Sequence, residues 1–221
     1  MRAIRKAPEP ESLSHYRASI GSARLNDPNA DIFDSFSGKA KLRKALVKEQ
    51  RGLCCYCLSR IRPCPLEMKI EHWRCQQRFA AQRLDYQNLL GACKGNEGCA
   101  EQEQHCDTRK ANKELSKNPA SLSHSIEALI KFETNGRISS NDPQFNDELE
   151  AVLNLNLPFL VNHRKETLLG FLDFLGKGRM LKPAEWEKRL GEWNGDSHSR
   201  ELQPYCQIVV QYLRQKVLRG A

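Results

Sequence analysis

The chain has 221 residues, 39% hydrophobic and 28% charged, which is enough apolar material to fold without disulfides and too much for the disordered class. Its formal charge of +8 and pI near 9.1 create a positive field that draws polyanions, either nucleic acid or an acidic protein partner. No stretch approaches the ~18 consecutive apolar residues of a membrane span, and the opening MRAIRKAPEPESL is charged and proline-rich, unlike a signal peptide.

Residues 1–37 read as an N-terminal arm. The first fifteen are expected to be extended, because Pro8 and Pro10 disfavour helix and little in the segment is periodic. From 38 to 51, GKAKLRKALVKEQR places Leu42, Ala45 and Leu46 on one face among basic residues, an amphipathic helix that ends at Gly52. LEMKIEH at 66–72 alternates apolar and polar side chains and suits a short strand in a hairpin. DTRKANKEL at 107–115 consists mostly of helix formers behind an acidic first residue. Together these predict a β-β-α unit within a core spanning 38–120. Residues 121–221 begin with a hairpin signal, Asn135-Gly136 between two short apolar segments. Helical patterns follow at about 145–155, 158–176, 183–193 and 203–218, punctuated by Pro158, Gly176, Gly178, Pro183, Gly195 and Pro204. The predicted class is α+β, with a small zinc-stapled core and a mainly α-helical C-terminal half.

Nine cysteines, an odd number, argue against a fully paired extracellular framework. They point instead to a reducing cytoplasm, where clustered cysteines serve as metal ligands. Eight of the nine fall between Cys54 and Cys106. Cys54 and Cys57 have the spacing of one half of a tetrahedral zinc site. Cys93 and Cys106 are candidates for the other half, across an inserted polar loop in which Cys99 or His105 could substitute. Such a closed site would be structural, since four protein ligands leave zinc no open position. With four thiolates on one Zn²⁺ the site is net minus two, leaving about +6 for the folded chain.

Ile70-Glu71-His72, then Asn88-Leu89-Leu90, then Cys106-Asp107-Thr108-Arg109-Lys110 form an ordered set that resembles the HNH, or ββα-metal, endonuclease signature. The resemblance implies that Glu71 and Asp107 bind a catalytic metal, that His72 activates water, and that Asn88 holds the base loop. It departs from the family pattern at Asp107, where histidine or asparagine is common; Asn112, five residues further on, is the rival ligand. A neutral histidine can take a proton from water near pH 7, and carboxylate ligands favour Mg²⁺ or Mn²⁺. Arg109 and Lys110 are candidates for contacting phosphate. His15, His124, His163 and His198 lack such company and read as structural.

Three further segments, MRAIRKAPEPESL, LNLNLPFLVNHRK at 153–165 and PYCQIVVQYLRQK, are similar to the nuclease subunit of the Septu antiphage defence system, which acts with an ATPase, sometimes beside a retron. The resemblance implies a core that cuts nucleic acid, DNA by first choice, and a helical remainder that docks the ATPase. The competing readings are a catalytically inactive zinc-stabilised adaptor and an autonomous restriction-like nuclease.

Overall fold

The computed structural model describes residues 1–176, 181–196 and 201–219; Gly178 and His198 lie outside them. The fold is mixed α+β with two small antiparallel sheets. Two short helices, α1 (Glu11–Ser19) and α2 (Ser22–Asn26), lead to the amphipathic α3 (Lys39–Glu49). The expectation of an extended opening holds only to Pro10. The helix starts directly behind it, where proline's missing N–H costs no intrahelical bond, and buries Leu13.

Helix α3 lays Leu42 and Leu46 against Leu13, Ile32, Phe33, Phe36, Leu84, Tyr86 and Leu89. It stops before Gly52, whose φ of +79° suits a residue without a Cβ. Strands β1 (Met68–His72) and β2 (Leu89–Cys93) pair antiparallel, in a register that sets Met68 opposite Cys93 and His72 opposite Leu89. Gln50, just past the end of α3, clamps β2 at both backbone polar groups of one residue: its amide donates to the Gly91 carbonyl at 2.7 Å and accepts from the Gly91 N–H at 2.6 Å. A Cβ at Gly91 would stand 3.0 Å from Ile61 and 3.3 Å from Gln50, so the clamp favours glycine there.

The short α4 (Cys106–Lys110) packs against β2. The sequence predicts a helix over 107–115, but the chain turns at Ala111, with φ +47°. The following residues are drawn back over the loop after β1: Arg78 donates to the Asn112 carbonyl at 3.0 Å, and both Arg74 and Arg78 pair with Glu114. Tertiary contacts here outweigh helix propensity.

Beyond this unit come α5 (Ile126–Leu129), the hairpin β3 (Ile130–Phe132) to β4 (Ile138–Ser140), and α6 (Pro143–Asp147), which continues into a π-turn at Glu148–Val152. The hairpin forms at the predicted Asn135-Gly136, with Gly136 at φ +92°. Helices α7 (Pro158–Leu175), α8 (Pro183–Asn194) and α9 (Cys206–Leu218) complete the fold close to their predicted bounds. One apolar cluster runs from the cysteines through Met68 and Leu90 to Ile126, Phe145, Leu153 and Leu160, crossing the sequence boundary at residue 120. Among the described residues no helix is long and apolar enough to cross a membrane.

Candidate metal centre and the adjoining acid and histidine cluster

Cys54 and Cys57 lie on a tight turn, Cys93 ends β2, and Cys106 opens α4, so the turn, the sheet and the helix meet at four buried sulfurs. All four Sγ atoms lie within 4.8 Å of one another, with Cys54 to Cys106 at 3.9 Å and Cys57 to Cys93 at 3.7 Å. A tetrahedron with zinc–sulfur arms of 2.3 Å has edges of about 3.8 Å. The four thiols could therefore hold a structural metal such as zinc, and they are the four candidates the sequence offered, Cys93 and Cys106 across a loop longer than the usual knuckle. Of the two substitutes, Cys99 is exposed. The ring Nδ1 of His105 lies 3.1 Å from the Cys106 sulfur and acts as a neighbour of the ligand.

Further N–H groups converge on the sulfurs, from Cys93 to Cys54 at 3.3 Å and from Ser59 to Cys57 at 3.4 Å. Donors of this kind stabilise thiolate charge. Burial pushes the Cys106 thiol well up. The hydrogen bond with Cys106 brings Cys57 down to about 6. Four sulfurs this close cannot all ionise without a cation, and a divalent ion would relieve the conflict.

The same β-β-α unit also carries the acid and histidine residues. Glu71 is buried at the end of β1. Its Oε1 accepts from the Tyr56 hydroxyl at 2.7 Å and pairs with the Lys110 ammonium at 2.9 Å. Burial holds its carboxyl well above the ordinary carboxylate range, and Asp107, hydrogen-bonded beside it, pushes it further up. Asp107 also lies 3.7 Å from Lys69. His72 is the next residue of the strand. Its Nε2 stands 3.0 Å from the Arg83 carbonyl, and its ring packs edge-on against Phe33 at 4.4 Å between centroids. A carbonyl can only accept, so Nε2 carries the hydrogen and the neutral ring keeps its lone pair on Nδ1. Burial lowers the His72 pKa to about 4, which leaves the ring neutral at physiological pH.

Asn88 is a buried staple. Its Oδ1 accepts from the Arg74 N–H at 2.7 Å, and its Nδ2 donates to the carbonyls of Arg74 at 3.0 Å and Gln82 at 3.1 Å. It thereby closes the loop between β1 and β2, which carries Arg83. The expectation that Lys110 contacts phosphate is corrected. Lys110 is wholly buried, bonded to Glu71 and to the His72 carbonyl at 3.1 Å, because α4 packs with this side chain facing the hairpin. Arg109 is held by Glu101 at 2.7 Å. Asn112 bonds Gln77 at 2.9 Å, outside the acid cluster.

Sequence reasoning missed Tyr56 and Arg83. The Arg83 guanidinium donates to the carbonyls of Gln76, Asp27, Pro28 and Ala30, tying the N-terminal arm to the loop that orients His72. Nothing in a lone arginine or tyrosine signals such a role. No family model matches the chain, and no curated protein shows significant similarity to it.

Proposed function

We propose that the protein is a metal-dependent nuclease of the HNH type that hydrolyses phosphodiester bonds in nucleic acid, DNA by first choice, with His72 as general base. The observation that carries this reading is the state of His72: neutral, its Nε2–H engaged by the Arg83 carbonyl and its Nδ1 lone pair unpartnered among the described residues, one peptide away from a carboxylate pair. A base has to be in this form before it can take a proton from water. The ordered Glu71, His72, Asn88 and Asp107 on a β-β-α frame support the family resemblance.

The donor set suits a hard cation. Glu71 and Asp107 offer only oxygen, and their mutual repulsion is what Mg²⁺ or Mn²⁺ would relieve. Tyr56 and Lys110 both engage Oε1 of Glu71, so Oε2 is free of them. When bound there, a divalent cation would offset the negative charge that develops on phosphate and leaving oxygen. His72 Nδ1 accepts the proton of the attacking water as the new oxygen–phosphorus bond forms, and the ester oxygen departs as its bond to phosphorus breaks. Asn88 and Arg83 hold the histidine loop in place, and Lys110 fixes the Glu71 carboxylate.

The proposed ATPase partner and antiphage role rest on the resemblance of the three outer segments. One observation favours the inactive-adaptor reading instead: Lys110 already places one positive charge on Glu71. Plasmid cleavage by the zinc-loaded chain in Mg²⁺ and in Mn²⁺, with EDTA and His72→Ala controls, with and without an ATPase partner, separates the two. Cleavage abolished in both controls is expected. A folded, zinc-loaded chain that cuts neither the plasmid nor an RNA offered as second substrate under these conditions is the adaptor.

A further inference from the structure

A nuclease needs cations to grip the phosphate backbone, and near His72 nearly all of them are already engaged. Arg74 and Arg78 pair with Glu114, Arg83 is buried on carbonyls, Lys39 pairs with Asp34, Arg109 with Glu101 and Lys110 with Glu71. Helix α3 differs. Lys41, Lys44 and Lys48 are exposed, and their side chains make no hydrogen bond or ion pair among the described residues. At 100° per residue they fall within about 60° of one another on a single face, spanning roughly 10 Å along the axis. Leu42 and Leu46 occupy the opposite, buried face. The helix has one acidic residue, Glu49, and it is turned inward onto Lys6 at 2.5 Å and the Tyr86 hydroxyl at 2.7 Å. The exposed charged side chains of α3 are therefore all cationic.

Its position is the second observation. Lys39, in the first turn, sits 5.3 Å over the ring of Phe33, and that ring packs on His72. Lys39 itself lies on the inward side of the helix with Leu42 and Leu46, so this contact seats α3 against the surroundings of the proposed base while the lysine row lines the helix's outer side. We propose that the exposed face of α3 is the phosphate-binding track of this protein, with Lys41, Lys44 and Lys48 each neutralising a backbone phosphate of the nucleic acid cut at His72. The proposal rests on the nuclease reading. The lysines would fix register without reading sequence, since contacts of this kind go to phosphate oxygens.

The test is fluorescence anisotropy of zinc-loaded full-length protein, with no other divalent cation, on a labelled 20-base-pair duplex and the matching single strand, titrated over salt. Three proteins are compared: wild type, Lys41→Gln/Lys44→Gln/Lys48→Gln, and Lys131→Gln/Lys165→Gln/Lys188→Gln, which removes the same charge from exposed lysines of the C-terminal half. For the α3 variant the slope of log K against log salt should flatten by about 2.7 on duplex or about 2 on single strand. Affinity near 50 mM salt should fall at least tenfold, with melting temperature and zinc content unchanged, while the control variant stays near wild type. Equal losses in the two variants would mean a general effect of net charge, and an unchanged α3 variant would put the phosphate contacts elsewhere; either overturns the track. Wild type that binds neither nucleic acid would remove the nuclease reading itself, an outcome distinct from both.

Discussion

Lys110 and Glu71 are each buried and pair with one another at 2.9 Å. Replacing one partner leaves the other uncompensated in a low dielectric, at a cost of about 3–5 kcal/mol, whereas replacing both with neutral residues of similar size costs far less. Lys110→Met should therefore destabilise the zinc-loaded protein by that amount, and adding Glu71→Gln should restore more than half of it. Chemical denaturation of the singles and the double checks this, and additive losses would show the pair to be uncoupled. His72 makes a prediction about pH. Its folded pKa of about 4 lies below the 6.5 of a free imidazole, so between these values the unfolded chain binds more protons than the folded one. Its contribution to stability is complete above about pH 6.5 and is lost as pH falls toward 4. Under the proposed nuclease reading the same shift moves catalysis: the acid limb of kcat/KM should lie below pH 5, and a nearby bound cation would push it lower still. A limb centred at pH 6.5 would mean that the titrating base is some other, solvated histidine.

The β1–β2 hairpin and α4 contribute to both centres, two of the four sulfurs and most of the acid and histidine cluster, yet the two should fail differently. If the four sulfurs hold a metal, removing one ligand would remove the ion that joins turn, sheet and helix. Zinc-finger peptides obtain about 10–16 kcal/mol from such binding. Cys54→Ala is expected to lose bound zinc and its cooperative melting transition, while His72→Ala keeps both and loses only cleavage; metal analysis beside near-ultraviolet circular dichroism distinguishes them. The sequence was most legible at this scale where side-chain chemistry is discrete. Two-residue cysteine spacing, the alternation of LEMKIEH and the Asn135-Gly136 turn each map onto one structure. Legibility failed where distant partners decide. Helix formers continue past Lys110, yet Arg74 and Arg78 pull Glu114 onto the histidine loop and the helix ends. The basic residues of α4 looked available because their acidic partners, Glu71 and Glu101, arrive from other elements.

At the scale of the molecule, the boundary at residue 120 separates two composition patterns but not two cores. Ile126, Ile130, Ile138, Phe145, Leu149 and Leu153 pack into the cluster that surrounds Cys54, Cys57, Cys93 and Cys106. The polar seams agree. The backbone N–H of the metal-site residue Cys106 donates to the Leu153 carbonyl at 2.9 Å, Asn154 donates to the carbonyls of Gln102 and Gln104, and Glu148 accepts from both the N–H and the hydroxyl of Ser116 at 2.8 Å. The segment from 143 to 155 is thus the outer wall of the loop that delivers the fourth sulfur. Cutting the chain at 120 would expose the apolar cluster and orphan the Cys106 N–H, a loss that zinc affinity at an unsupported loop would have to offset. A fragment of residues 1–120 is therefore expected to bind zinc weakly and to unfold without a cooperative transition, even in excess metal. Phe145→Ala in the full chain, at a completely buried position, should cost about 3–5 kcal/mol. It should also loosen zinc, measured by competition with a chromogenic chelator. If the fragment melts cooperatively with one tightly held zinc ion, the two halves are separate domains and the C-terminal half is free to move against the site.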